Sequence, residues 1–199
     1  MNRNIFFSSS AYFDTVASVN LEKEDIDIIK LVLAGEVDSY RHLVEKYMQF
    51  VSAIVSRRIP HSDVRDVAHD VFVRAYNSLS SFKQQSPFEH WLAKIAVREC
   101  YDHWRRDFRN AKLKQNLISV SEESIDSFNQ QERKKAAVDQ LNKALEKLSP
   151  ENRAVITLVH LEGYSIEATA ELLGWSKVNV KVRAHRAREQ LREILKQQG

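Results

Sequence analysis

Apolar residues recur every three or four positions through most of the chain, a spacing that predicts amphipathic helices. A first helix is predicted over residues 22–34, with Gly35 closing it. A second begins at a cap on Asp38 and continues until Pro60 stops it. A third starts at residue 62 or 63. Its predicted buried face comprises Val64, Val67, Ala68, Val71, Phe72, Ala75, Tyr76 and Leu79.

The clearest helix start in the chain is Ser-Pro-Phe-Glu at 86–89. It combines a capping box with proline at the first helical position. The helix that follows turns basic towards its end, and aromatic residues interleaved with Lys and Arg suit single-stranded nucleic acid. Taken singly, Phe88 and Trp91 fit a core better than a platform for bases.

Periodicity fades after residue 115, and residues 119–132 hold four acidic residues with no Lys or Arg. A polar, acidic segment buries too little apolar surface to fold alone, so it predicts a linker and a domain boundary. The predicted organisation is all-α, with two small helical domains joined by this flexible linker. The ranges are 1–20 for a loose tail, 21–112 for the first domain, 113–132 for the linker and 133–199 for the second domain.

The stretch from Tyr164 to Arg192 predicts a helix-turn-helix. Ser165 caps its first helix, and Gly174 supplies the left-handed residue that ends it. Ser176 then caps the second helix. An apolar stripe through Val180, Ala184, Ala187 and Leu191 leaves the other faces of that helix polar.

Charge indicates what the second helix binds. Residues 174–199 hold seven Lys or Arg against two Glu, whereas residues 133–173 hold six of each sign. A cationic helix after a capped helix and a turn fits the major groove of DNA better than it fits an ordinary solvated surface. The predicted duplex-binding residues are Ser176, Lys177, Asn179, Lys181, Arg183, Arg186 and Arg188.

Composition narrows the class of protein. A content of 43% hydrophobic and 29% charged residues is typical of a globular protein, and no apolar run is long enough to cross a bilayer. The start of the chain is too broken by polar residues for a signal peptide, and the single cysteine, Cys100, excludes an internal disulfide. These features predict a cytoplasmic protein.

Two blocks of sequence carry a family resemblance. They are DVRDVAHDVFVRAYNSLSSFKQQSPFEHWLAKIAVRECYDHWRR in the first domain and LEKLSPENRAVITLVHLEGYSIEATAELLGWSKVNVKVRAHRAREQLREIL in the second. In this order and at this separation, the chain resembles bacterial sigma factors of the extracytoplasmic-function class. The resemblance extends over roughly residues 24–196.

The resemblance implies a function and a set of sites. The protein would bind RNA polymerase core and direct transcription from promoters, using no cofactor and no small-molecule substrate. The implied core-binding residues are Asp66, His69, Asp70 and Arg74. Those implied to open and read the −10 region as single-stranded DNA are Phe82, Lys83, Gln84, Gln85, Ser86, Phe88, Trp91, Lys94 and Arg98. Residues 176–188 would read the −35 duplex, and the acidic linker would thread towards the active-site and RNA-exit channels.

The resemblance also implies an anti-sigma partner, in many cases membrane-linked. Some positions depart from the family pattern: His69-Asp70 replaces a frequent Gln-Glu, Arg98 a frequent Asn, and Val178-Asn179-Val180 a frequent Gly-Thr-Val. Because side-chain identity at such positions determines which base edge is contacted, these departures bear on the promoter sequence.

Two other classes of protein compete with this interpretation. One is a stand-alone helix-turn-helix regulator that uses its first domain to dimerise or to sense a ligand. The other is a metal-dependent phosphohydrolase, because His42, His69-Asp70 and Asp102 occur in the order of its ligands. That chemistry needs all four ligands on one metal, whereas the pattern places His69 and Asp70 on a helix surface. Cys100 and His103 supply only half of a zinc site, so we expect no enzyme.

Overall fold

A computed structural model describes residues 16–115 and 130–197. Most of the predicted tail and most of the predicted linker lie outside the described residues. Every regular element in the two described ranges is helical, which confirms the all-α prediction. The α-helices are α1 Val16–Leu33, α2 Tyr40–Ser56, α3 Val64–Asn77, α4 Phe88–Gln115, α5 Gln130–Glu146, α6 Pro150–Val155, α7 Ile166–Leu173 and α8 Lys177–Lys196.

The chain divides into two compact units, Met1–Cys100 and Tyr101–Gly199. In the first unit, α2 and α3 pack closely, and their apolar stripes supply the core together with α4. Leu43, Val51, Val71 and Leu92 are each completely buried. Burying a side chain of this kind contributes about 1.5–3 kcal/mol relative to leaving it in water. These contacts hold the start of α4 in place.

Polar contacts fix the first three helices relative to each other. The Tyr40 hydroxyl at the start of α2 donates to the Phe72 carbonyl of α3 at 2.8 Å. Asp25 of α1 is only 2% exposed, and its two oxygens accept from Lys46 Nζ and the Tyr47 hydroxyl, both at 2.5 Å. A buried carboxylate is tolerated only when it is paired and hydrogen-bonded, as Asp25 is here.

Some predicted helix starts and faces in the first unit are wrong in detail. Asp38 does not cap α2, because it lies inside a 3-10 turn, Val37–Ser39, that precedes the helix. α1 begins at Val16 rather than at residue 22. α4 begins at Phe88, one residue after the predicted first helical residue, Pro87. The first hydrogen bond of α4 between residues four apart runs from the Trp91 N–H to the Pro87 carbonyl. Tyr76 is 37% exposed, because its ring packs edge-on against Tyr40 rather than in the core.

The second unit is built around α5, α6 and α8. Leu145, Leu148, Ile156 and Ala187 form its buried cluster, with Leu141, Leu191 and Ile194 packed against them. Ser149 caps α6 by accepting from the Asn152 N–H at 3.3 Å. The helix that begins with α6 continues to Leu161, but its last part, Ile156–Leu161, is π-helical. The Glu162 N–H accordingly bonds to the Thr157 carbonyl, five residues back, at 2.9 Å.

Candidate nucleic-acid interface

The helix-turn-helix consists of α7, the turn at Gly174 and Trp175, and α8. The Ser165 hydroxyl accepts from the Ala168 N–H at 3.0 Å, and the Ser176 hydroxyl accepts from the Asn179 N–H at 3.2 Å. Gly174 takes φ +70°, a left-handed conformation that only glycine adopts without strain. All three local predictions are confirmed. Because both helices have side-chain caps, the turn that sets their relative angle is well defined.

One face of α8 is buried in the core of the second unit, and the other faces are exposed to solvent. Val180, Ala184 and Ala187 are buried, as the apolar stripe predicted. The exposed residues of the predicted duplex-binding set are Ser176, Lys177, Lys181, Arg186 and Arg188. Lys177 forms an exposed ion pair with Glu167 of α7, at 3.4 Å. Such a pair contributes less than about 1 kcal/mol, so phosphate can compete for this lysine at little cost.

Arg183 and Asn179 form a pair instead of pointing separately to solvent. Arg183 Nε donates to Asn179 Oδ1 at 2.9 Å, and the guanidinium lies 5.4 Å from the centre of the Trp175 ring. Both residues are half-buried. The structure therefore brings these two predicted DNA-binding residues together, with Arg183 able to orient the Asn179 amide.

The loop before α4 carries the residues predicted to bind single-stranded DNA. The Phe82 ring packs against Phe88 and Trp91, with centroid distances of 5.5 and 5.4 Å. Phe88 is 3% exposed and supports the cluster from within, whereas Phe82 and Trp91 are half-buried and reach the surface. Lys83, Gln84 and Gln85 are exposed around them.

The same loop encloses a small cavity of about 180 Å³. Its lining comprises Ile26, Phe82, Gln84, Gln85, Ser86, Pro87 and Phe88. Gln84 has φ +56°, a left-handed conformation that costs a residue with a Cβ on the order of 1 kcal/mol. Backbone strain of this kind concentrates at functional sites. Further along α4, Lys94 is half-buried and Arg98 is exposed.

The predicted core-binding residues on α3 differ in their exposure to solvent and in their partners. Asp66 and His69 are exposed, and Asp70 is half-buried. Arg74 forms an ion pair with Glu99 of α4, a carboxylate whose side chain is only 2% exposed. Arg74 therefore has a structural partner, whichever surface the rest of α3 contacts.

A groove of about 1270 Å³ lies between α2 and α3. His69 and Arg65 of α3 line it, and its floor and rim are largely apolar. The apolar side chains exposed along it are Val37, Met48, Val73 and Tyr76. An exposed apolar groove beside charged residues is a typical protein-docking surface.

Comparison with known proteins identifies the family. A profile for sigma-70 region 2 matches residues 43–109, and a profile for sigma-70, region 4 matches residues 139–191. The chain is 31% identical over 159 residues to the RNA polymerase sigma factor YlaC of Bacillus subtilis, across 78% of this chain and 91% of YlaC. The chain belongs to the sigma-70 family. The region 2 profile covers α3, the loop and most of α4, and the region 4 profile covers the helix-turn-helix.

Other relatives of this sigma factor are of the extracytoplasmic-function (ECF) class. The chain is 27% identical over 175 residues to the ECF RNA polymerase sigma-E factor of Haemophilus influenzae, across 84% of this chain and 93% of that protein. It is 28% identical over 178 residues to the sigma-E factor of Escherichia coli, across 81% and 89%. The solved structure of CnrH in complex with the cytosolic domain of CnrY matches with a TM-score of 0.50 and 27% identity, across 86% of this chain and 97% of CnrH.

Membership of the family decides between the classes of protein that the sequence left open. This sigma factor is a transcription initiation factor that binds RNA polymerase core and promoter DNA, and it is neither an enzyme nor a stand-alone regulator. Within the described ranges, no three His, Cys, Asp or Glu residues lie together as a metal site. Across the same residues, none of the helices combines the length and the apolar character that a bilayer crossing needs.

Two exposed residues of α8, Val178 and Val182, are not in the predicted duplex-binding set. Val178 is 70% exposed and Val182 is 42% exposed, so both lie on the open face of α8. The predicted set contains only charged and polar side chains, although Val178 is also a departure from the family pattern. The available signal was the helical period itself, which places positions 178 and 182 opposite the buried stripe.

Proposed function

We propose that the two units of this sigma factor divide promoter recognition between them. The first unit docks on core polymerase through α3 and opens the −10 region with the loop 82–86 and the start of α4. The second unit reads the −35 element as duplex DNA with α8. The observation that carries this proposal is the capped helix-turn-helix, whose second helix packs on one side and presents cations on the others.

Support for the −35 assignment comes from the exposed cations of α8. Lys181 and Arg186 lie on opposite flanks of the open face, where each can contact one wall of a major groove. The first residues of a recognition helix reach base edges, and Asn179, held by Arg183, is a residue type that pairs with adenine through two hydrogen bonds. Phosphate contacts position the helix, and the side chains of its first turns supply the selectivity.

Support for the −10 assignment comes from the cluster of Phe82, Phe88 and Trp91. A base that leaves the duplex needs an aromatic surface to stack on and a cation near its phosphate. Phe82 and Trp91 offer the surface, and Lys83 offers the cation. The cavity beside Gln84 and Gln85 provides amide groups that can hydrogen-bond to the edge of that base.

Support for docking through α3 comes from the groove that it forms with α2. Asp66 and His69 are polar and exposed, and apolar side chains such as Met48 and Val73 lie beside them. A protein interface commonly has this composition, with an apolar centre and a polar rim. We also infer that the protein acts in the cytoplasm, because RNA polymerase core transcribes there.

The test is reconstitution with core polymerase. The holoenzyme selects promoters from a library in which both elements are randomised, and transcription from the selected promoters is measured. We expect enrichment of two separate elements, and we expect a Lys181→Ala, Arg186→Ala variant to bind the selected promoters more weakly than wild type does. We also expect the chain alone to bind the same duplex far more weakly than the holoenzyme does. Tight specific binding by the chain alone, without any stimulation by core polymerase, would contradict the proposal.

We further propose that an anti-sigma factor, membrane-linked, covers this protein until a stimulus releases it. Support comes from the exposed apolar groove on the first unit and from the similar protein CnrH, which was solved with the cytosolic domain of CnrY. A partner in the groove would compete with core polymerase. The test is capture of the protein from its host in mild detergent, without stress. Recovery with core polymerase alone, and target genes constantly transcribed, would contradict this second proposal.

A further inference from the structure

The most exposed apolar residues of α8 lie where the helix would face DNA. Val178 is 70% exposed, and Val182, one turn later on the same side, is 42% exposed. Successive residues of an α-helix turn by about 100°, so both valines fall between Lys181 on one flank and Arg186 on the other. If the two cationic flanks contact the phosphates of the two strands, the valines are directed at the floor of the major groove.

Helix stability does not account for these valines. Valine is branched at Cβ and has a lower helix propensity than the alanine, lysine or glutamate common on helix surfaces. Packing in the core does not explain them either, because the buried stripe of Val180, Ala184 and Ala187 lies on the opposite side of the helix. Two exposed valines in successive turns are therefore better explained by a ligand that presents apolar groups.

In the major groove, the apolar group of a base is the C5-methyl of thymine. We infer that Val178 and Val182 are specificity-determining residues, and that their side chains contact the methyl groups of thymines in the −35 element. This inference rests on the proposed function, in which α8 reads that element. It adds a class of contact that the charged and amide side chains of the helix cannot make.

The helical rise of α8 also predicts how far apart the two contacted thymines are. Residues four apart on a helix are separated by about 6 Å along its axis, and base pairs are stacked about 3.4 Å apart. The two valines therefore span about two base-pair steps when the helix follows the groove. Glu189 continues the same face and is paired with Arg192 at 2.9 Å, so the apolar part of this face is confined to the first two turns of α8.

The experiment removes only the methyl group. The −35 duplexes that the holoenzyme selects are remade with deoxyuridine in place of thymine, one position at a time, and equilibrium binding is measured at fixed salt. Burial of one methyl group is worth about fourfold in an equilibrium constant. We expect the wild-type holoenzyme to lose about fourfold in affinity at one or two positions about two steps apart. Val178→Ala and Val182→Ala should each lose the sensitivity at one of these positions.

Val138→Ala is the matched control, because Val138 is 56% exposed on α5 of the same unit. It should retain the full response to deoxyuridine. Equal binding of thymine and deoxyuridine duplexes at every position, with Lys181→Ala still weakening binding, would overturn the inference and leave the proposed function intact. So would unchanged binding of all duplexes by both valine variants, which would assign the valines to a protein partner. Failure of the proposed function is a separate result, in which Lys181→Ala and Arg186→Ala have no effect on any duplex.

Discussion

Arg183 and Trp175 are stacked, with the guanidinium carbon 5.4 Å from the ring centre. This contact joins the second turn of α8 to the turn that precedes the helix. Because Arg183 also donates to Asn179, the tryptophan indirectly fixes the direction of an amide at the start of α8. A residue that the basic stripe marks as a phosphate contact thus has a positioning role as well.

Substitution of Arg183 should therefore affect promoter binding differently from substitution of Lys181 or Arg186. Lys181→Ala and Arg186→Ala remove exposed cations, so promoter affinity should fall uniformly across sequences, and each variant should lower the salt dependence by about one phosphate contact. Arg183→Ala should instead change the preferred base at one −35 position, because Asn179 is released. Selection from randomised duplexes at two salt concentrations distinguishes these outcomes. A uniform loss with Arg183→Ala would leave it as a simple phosphate contact.

The loop before α4 should determine promoter opening. A holoenzyme with Phe82→Ala and Lys83→Ala lacks the stacking ring and the nearby cation, so the melted −10 region should be less stable. Stacking of a base on an aromatic ring is worth about 1–3 kcal/mol. Permanganate reactivity of −10 thymines should fall accordingly, while binding of the −35 duplex is retained. Ser80→Ala, an exposed change just before the loop, is the control. Normal opening by the double variant would remove the loop from the mechanism.

Gln84 offers a test of stored strain. At φ +56° a glycine is relaxed, so Gln84→Gly should stabilise the first unit or leave its stability unchanged, by roughly 0–1 kcal/mol. Gln85→Gly, one residue later and without a positive φ, should destabilise it. Denaturant unfolding of the two variants measures the difference. If Gln84→Gly also impairs promoter opening, the strained backbone serves base recognition, whereas equal destabilisation by both variants would argue against strain.

Arg74 should behave as a structural residue. Its removal leaves the buried Glu99 carboxylate without this cation, which costs on the order of 1–3 kcal/mol. We expect Arg74→Ala to lower the melting temperature of the first unit. Asp66→Asn, an exposed change on the same helix, should leave it unchanged and affect only binding to core polymerase. A melting curve of Arg74→Ala that matches wild type, with weakened polymerase binding, would assign Arg74 to the docking surface instead.

Glu151 should make the second unit sensitive to acid. Burial alone would raise its pKa, but the backbone N–H, the Ser149 hydroxyl and the Tyr101 hydroxyl at 3.2 Å together hold the pKa below its ordinary value of 4.5. A depressed carboxyl pKa stabilises the fold above 4.5, and this contribution is lost as pH falls through the folded-state pKa.

Glu151→Gln should therefore destabilise the second unit by less than about 1 kcal/mol at pH 7, because solvent screens this partly exposed group, and by less still at pH 3. Hydrogen exchange of the α6 and α8 amides at the two pH values measures this. Asp139→Asn, an exposed change on α5 of the same unit, is the control. A loss of stability that is the same at both pH values would show that packing, and not charge, is responsible.

Local signals were sufficient to predict the helix-turn-helix. Ser165, Gly174 and Ser176 act through hydrogen bonds and dihedral angles within three or four residues, so the sequence around them contains all that determines them. The buried stripe of α8 followed for the same reason. The prediction of a cap at Asp38 is wrong because a 3-10 turn and a helix cap use the same residue types, so the local sequence does not distinguish them.

The candidate sites were less accessible to sequence reasoning. Arg74 looks like a free cation until α4 places Glu99 beside it, and Arg183 looks like one until the turn places Trp175 under it. Both contacts depend on tertiary packing. Gln84 could not be anticipated, because nothing in a glutamine predicts a positive φ, and the loop conformation comes from the aromatic cluster that anchors its ends.

The π-helical segment Ile156–Leu161 contains one residue more than a regular α-helix needs for the same number of turns. A π turn contains one residue more than an α turn, so a one-residue deletion would restore regular α-helical geometry without breaking the helix. Because the shortened segment would still close the same number of turns, the residues after it would keep their orientation relative to Leu148. The second unit can therefore lose one residue in this segment without a change in how α6 and α7 are oriented.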